Sequence, residues 1–193
     1  MARRLVLGSS SPYRRELLQR LHLEFECCSP DIDETPKEDE TPQQLVERLS
    51  IAKARAVANQ FPGALIIAGD QVAVCNGQIL GKPGSIENAR RQLTLISGQD
   101  VVFETGLCVF DDETKHFEFG LFPTRVSFRT LTSSQIDNYL NREPALNCAG
   151  SFKSEAYGIA LTSAIHSDDP TALIGLPLIH LTRILGNFNV AVL

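Results

Sequence analysis

Residues Ala64 to Ala68 read Ala-Leu-Ile-Ile-Ala, an apolar run with no polar interruption. A run of this length without alternation reads as a buried strand. A buried strand needs cover, and the preceding chain supplies it: the periodicity predicts a long amphipathic helix over Pro42 to Gln60, capped by Thr41. The apolar run stops at Gly69-Asp70-Gln71. Val72 to Cys75 then leads into Asn76-Gly77, a strong hairpin signal, and Gln78 to Leu80 returns toward Gly81-Lys82-Pro83.

The same patterning organises the remainder. Arg4 to Gly8 predicts a strand, Ser9-Ser10-Ser11-Pro12 a tight loop, and Tyr13 to Leu21 a helix with a Ser cap and Pro12 in its first turn. Phe25 to Cys28 reads as a second strand, and Asp31-Ile32-Asp33-Glu34 as an acidic loop. Ser85 to Ile96 reads as a helix. Val101 to Phe110 and His116 to Arg129 read as an antiparallel pair turning at Asp111 to Thr114. Ser133 to Asn141 is a helix with Ser133 as cap, Cys148 to Glu155 a polar loop, and Ile174 to Leu185 a final helix. The order implies an α/β fold with a mixed central sheet flanked by helices, as a single domain over residues 1–193.

Charge narrows the partners. Eighteen basic against twenty-three acidic residues leave a net −5 without a long basic run, so no nucleic-acid groove is expected. No apolar stretch approaches the ~18 residues of a membrane span, and the N-terminal apolar run is too short for a secretory signal. The five cysteines are odd in number and form no C-x-x-C pair, which fits reduced thiols in the cytoplasm. Adjacent Cys27 and Cys28 read as one buried thiol and one at a strand edge rather than as a redox pair.

Several charged residues then compose a phosphate chemistry. The Ser9 loop sits at a helix N-terminus, where free N–H groups and the helix dipole favour an anion, and Arg14 and Arg15 in the first turn suit a phosphate. Asp70 stands at the end of a buried strand, a frequent place for a metal ligand or general base. Glu34 adds a carboxylate, and two carboxylates suit a hard divalent cation. Lys53 lies in a small-residue helical stretch, Ala52-Lys53-Ala54, and Lys82 in a segment stiffened by Pro83. Lysines and an arginine neutralise polyphosphate. Each charge alone is commonly a solvated surface residue; together they suit hydrolysis of a phosphoanhydride.

At these residues the chain resembles the Maf family of nucleotide pyrophosphatases. The resemblance rests on Ser9-Ser10-Ser11-Pro12-Tyr13-Arg14-Arg15, Asp33-Glu34, Glu47-Arg48-Leu49 with Lys53-Ala54, Gly69-Asp70-Gln71, Gly81-Lys82-Pro83, Tyr139, Ala149-Gly150 and Gly175-Leu176-Pro177, in order along the chain. It implies an elongated, two-lobed Maf/ITPase-like fold with a cleft, a homodimer, and hydrolysis of a nucleoside triphosphate to monophosphate and pyrophosphate with Mg²⁺, Mn²⁺ or a similar ion. It implies Asp70 as proton acceptor, and Arg14, Glu34, Lys53 and Lys82 as phosphate- and metal-handling residues.

Three positions separate branches of that family. Tyr13, Gln71 and Glu155 depart from the dTTP/UTP-type pattern, and Cys148 to Glu155 resembles the branch acting on 7-methyl-GTP. The chemistry agrees. Methylation at N7 makes the guanine ring cationic, and Tyr13 offers an aromatic face, a contact worth about 0.5–2 kcal/mol. Glu155 suits the guanine N1–H and amine, where uracil and thymine present a carbonyl. The alternatives are a dTTP/UTP-type pyrophosphatase and a non-catalytic nucleotide-sensing regulator of cell division.

Overall fold

The computed structural model describes residues 3–193. It is a mixed α/β fold, and its contacts divide the chain into two compact units. Unit 1 holds the chain up to Asp70, Thr105–Phe122 and Asp169–Leu193; unit 2 holds Gln71–Glu104 and Pro123–Asp168.

Unit 1 is built on the apolar run. Strand β3 (Leu65–Ala68) pairs parallel with β1 (Leu5–Gly8), and β2 (Glu26–Cys27) pairs parallel with the other edge of β1. On its far side β3 pairs antiparallel with the second half of β6 (Asp100–Asp111), which pairs antiparallel with β7 (Phe117–Leu121). Successive side chains of β1 and β3 point to opposite faces. Leu5, Leu7, Leu65 and Ile67 pack with Leu17 and Leu18 of α1 (Pro12–Gln19) and with Leu181, Ile184 and Leu185 of α5 (Leu178–Asn187). Val6, Ile66 and Ala68 pack with Ala54, Val57 and Ala58 of α2 (Pro42–Ala58). Helices on both faces are why the run shows no alternation. Thr41 and Gln44 form a reciprocal capping box at the start of α2.

Unit 2 carries the hairpin of β4 (Gln71–Cys75) and β5 (Gln78–Leu80), turning at Asn76-Gly77 as expected. Its strand order is β5, β4, the first half of β6, then β8 (Thr124–Phe128) and β9 (Thr162–His166). Helices α3 (Ile86–Ile96) and α4 (Ser133–Arg142) complete it.

Several boundaries depart from the sequence expectation. His116 to Arg129 is two strands, one for each half of β6. The break falls at Phe122-Pro123, where proline lacks a ladder donor and restricts the residue before it. The cap of α4 is Thr132, which shares a capping box with Gln135, rather than Ser133. Helix α5 begins at Leu178, beyond Leu176-Pro177, and β2 has only two residues. Strand β9 lies in a half-exposed polar segment without a clear period. All five cysteines are free; Cys27 is exposed and Cys28 only partly buried, so neither is the buried thiol expected of that pair. Among the described residues no helix is long and apolar enough to cross a membrane.

The β6–β7 turn is tied by Asp111. Its carboxylate accepts from both Nη atoms of Arg3, from Glu113 N at 2.9 Å and from Thr114 Oγ1 at 2.9 Å. The hydrogen bonds from Arg3, foremost, hold its carboxyl at about 2, against an ordinary 3.8. A depressed folded-state value gives stability that is complete above the ordinary value and is lost as pH falls through the folded one. Melting temperature is therefore expected to fall between pH 4 and pH 2 with a contribution from this residue. Asp111→Asn should lower it at neutral pH, by about 1–2 kcal/mol of stability after allowing for the partial exposure of Arg3, and should flatten that acid limb. Equal acid limbs in the two proteins would remove Asp111 from the account.

Candidate active site

The site in unit 1 begins at the loop between β1 and α1. Ser9 is buried, and its Oγ accepts from Ser11 N at 3.1 Å. Ser11 is the N-cap of α1, accepting from Arg14 N at 3.4 Å, with Pro12 in the first turn. Tyr13 is half-buried in that turn, and Arg15 is exposed.

Arg14 does more than await a phosphate. Its Nε donates to Gly175 O at 2.8 Å, and one Nη donates to Gly69 O at 2.8 Å and to Ser9 Oγ at 3.5 Å. The guanidinium thus ties the end of β3 to the segment before α5, with its other Nη outside these bonds. Burial pushes its pKa down, opposed by the charges of Asp70 and Glu34. Gly175 has φ 124°, the left-handed side where a side chain is disfavoured, and a Cβ there would stand 3.4 Å from Arg14 Nε.

Asp70 follows Gly69 at the end of β3 and is 8% exposed. Both of its backbone groups are fixed: its N–H donates to Ser50 Oγ at 2.9 Å, and its carbonyl accepts from Gly106 N at 2.9 Å. Its Oδ1 receives Lys53 Nζ at 2.6 Å, and Lys53, 7% exposed, also reaches Glu34 Oε1 at 3.0 Å. Ser50 and Lys53 stand three residues apart on α2 and so share a face. One helical face therefore holds the backbone of Asp70 and neutralises its carboxylate. Neither Ser50 nor Gly106 stands out in the sequence as a site residue. Ser50 carried a faint signal, as a polar residue three before Lys53 in an otherwise small or apolar stretch.

Unit 1 thus brings Ser9, Arg14, Glu34, Lys53 and Asp70 into one connected network. Two carboxylates share it, and among the described residues no third acidic, His or Cys group joins to form a metal cluster. Two carboxylate donors fit Mg²⁺ or Mn²⁺, which commonly complete their shell with substrate phosphate and water. The donor set therefore fits a divalent cation that arrives with a polyphosphate.

Gln71, Lys82 and Glu155 belong to unit 2. Gln71 is partly buried at the start of β4, and Lys82 is exposed just past β5. The backbone around Lys82 is held as Pro83 suggested: Gly81 O accepts from Gly150 N at 3.3 Å and Gln92 Nε2 at 3.0 Å, Pro83 O from Asn88 Nδ2 at 3.1 Å, and Gly84 N donates to Leu146 O at 3.1 Å. Glu155 is exposed at the end of its loop, beside Ser154 Oγ at 3.4 Å. The loop rests on Tyr139, whose hydroxyl accepts from Lys153 N at 3.3 Å and whose pKa burial pushes up.

Comparison with known proteins bears on both units. The Maf-like protein family model matches residues 4–188. The 7-methyl-GTP pyrophosphatase of Polaromonas sp. (strain JS666) is 55% identical, over 98% of this chain and 87% of that protein. The proteins of the same name from Colwellia psychrerythraea and Nitrosococcus oceani are 51% and 54% identical, over 98% of this chain and 94% and 95% of theirs.

Proposed function

Because this chain belongs to the Maf-like protein family, we propose that it is a nucleoside triphosphate pyrophosphatase that hydrolyses 7-methyl-GTP to 7-methyl-GMP and pyrophosphate. The names of its relatives support that substrate. The observation that carries the chemistry is the Glu34–Lys53–Asp70 cluster, two carboxylates on one buried ammonium.

In this reading the triphosphate lies along the Ser9 to Arg15 loop, with Lys53 and Lys82 on phosphate oxygens. Asp70 takes a proton from a water whose oxygen bonds to the α-phosphorus. The bond from that phosphorus to the bridging oxygen breaks, and the electron pair leaves with pyrophosphate. Asp70 and Glu34 would also hold a divalent cation, Mg²⁺ or Mn²⁺, which when bound supplies charge neutralisation on phosphate oxygens. Positioning and charge neutralisation provide most of the rate. Tyr13 stacks on the cationic methylguanine, Glu155 accepts from its N1–H and amine, and Gln71 completes the set that distinguishes this branch. The protein acts on a free nucleotide rather than nucleic acid, in the cytoplasm and as a homodimer; its acidic balance and free thiols support the first two of these.

A nucleotide panel with pyrophosphate detection, run with and without Mg²⁺ or Mn²⁺, tests the assignment. 7-Methyl-GTP is expected to have the highest kcat/KM, and chelation to stop turnover. A clear preference for dTTP or UTP would sink the substrate; tight triphosphate binding without hydrolysis would instead support a sensor.

A further inference from the structure

The segment bearing Lys82 and the loop bearing Glu155 are both fastened to one side chain of α3. Gln92 donates from Nε2 to Gly81 O at 3.0 Å and accepts at Oε1 from Ser151 Oγ at 2.5 Å. The amide gives from its nitrogen and takes at its oxygen, and its orientation is fixed by chemistry, since a flip would set its oxygen against the carbonyl of Gly81.

The loop has reason to need such a fastening. Gly150 and Ser151 adopt φ 64° and 58° in succession, the left-handed region that a residue with a Cβ rarely occupies. Ser151 does so while wholly buried. Next to it, Phe152 is anchored on Phe103 and Phe128 at centroid distances of 5.8 and 5.0 Å, so the loop is fixed at Phe152 by packing and at Ser151 by Gln92. Helix α3 itself does not depend on the amide, because Ala89, Leu93 and Ile96 bury its apolar face.

We infer that Gln92 is a positioning residue that sets the Lys82 segment and the Glu155 loop in register, so that the phosphate contact and the base contact are fixed together. The inference rests on the reading of Lys82 and Glu155 as substrate contacts. Loss of Gln92 takes away the shorter bond to Gly81 O, leaving the longer one from Gly150 N, and takes the acceptor from the Ser151 hydroxyl.

The test compares Gln92→Leu, Ser151→Gly and the double variant with wild type, using 7-methyl-GTP and GTP as substrates. Gln92→Leu keeps a helix former on α3, and Ser151→Gly suits the left-handed backbone. Gln92→Leu is expected to melt within a few degrees of wild type. Its kcat/KM for 7-methyl-GTP should fall about tenfold or more, the scale expected when reacting groups are slightly misplaced, and its preference over GTP should narrow. The double variant should lose little beyond the larger single loss. Unchanged preference in Gln92→Leu, or an equal loss on both substrates that tracks a lower melting temperature, overturns the inference. Lys82→Ala and Glu155→Ala serve as controls. If both turn over normally, the reading of the site itself fails and the coupling falls with it; if both are impaired while Gln92→Leu is not, only the coupling fails.

Discussion

Asp70→Asn is expected to lower pyrophosphate release by about a thousandfold or more, within the range assigned to a positioned general base combined with lost charge complementarity. The substitution is close to isosteric, so the backbone bonds from Asp70 N to Ser50 Oγ and from Gly106 N to Asp70 O have no reason to change. What changes is the charge. Lys53 sits between the carboxylates of Asp70 and Glu34. With asparagine at 70, Lys53 keeps Glu34 as its counter-ion and the amide oxygen as an acceptor, so the ammonium is not stranded. The folded state should therefore survive with a modest fall in melting temperature, while water activation and half of the carboxylate donor set are lost together. Asp70→Glu separates the two roles. It restores charge but displaces the carboxylate by one methylene in a nearly closed setting, so partial recovery of cation dependence with little recovery of kcat would mark Asp70 as base first and ligand second. Near-normal turnover by Asp70→Asn would remove it from the chemistry altogether.

The run from Ala64 to Ala68 was legible as a buried strand because its burial is uniform: in unit 1 its alternate side chains meet α2 on one face and α1 and α5 on the other. The Asn76-Gly77 hairpin and the Thr41 cap were legible because each is local chemistry completed within a few residues. Other features were not local. Strand β9 has a weak pattern and owes its state to pairing with β8. The division of His116 to Arg129 depends on Pro123 falling where two halves of β6 need different partners. In the site, charged residues such as Arg14, Lys53 and Asp70 are conspicuous by type; the residues that place them are not. Ser50 is one more serine in a helix until Asp70 N is found on its hydroxyl. Arg14 reads in the sequence as a residue suited to phosphate, yet two backbone carbonyls occupy it, and nothing near position 14 in sequence announces Gly69 or Gly175 as partners.

Gly106→Ala is the second large effect expected, and it joins the packing of unit 1 to its chemistry. A Cβ at Gly106 would stand 2.6 Å from Ser50 Oγ, 2.6 Å from Val46 Cγ1 and 3.1 Å from Phe119 Cε2. The first two belong to successive turns of α2, and neither is the end of a long flexible chain, so the helix must move rather than a side chain swing. The approach is close for a reason: Gly106 N donates to Asp70 O, and a Cβ on Gly69 would fall 2.3 Å from Gly106 O. Two glycines let the end of β3, strand β6 and helix α2 meet at one point, and that meeting puts Ser50 on Asp70 N and Lys53 on its carboxylate. Overpacking here should cost about 1–3 kcal/mol, or roughly 2–12 °C of melting temperature for a chain of this size. Assayed well below the new melting point, Gly106→Ala should still be impaired, because displacing α2 moves Lys53 and Ser50 together from Asp70; a loss of about tenfold or more is expected from misplacement on that scale. Gly186→Ala is the matched control. That glycine lies in α5 with nothing within 4 Å of an added Cβ, so alanine there should leave turnover unchanged and leave stability equal or slightly raised. If Gly106→Ala lowers the melting temperature but keeps full turnover while folded, α2 can move without disturbing Asp70, and the shared face of Ser50 and Lys53 is packing alone. A combined loss instead makes the contact between α2 and β6 part of the catalytic apparatus, since the same ångström that admits the helix also aims the carboxylate.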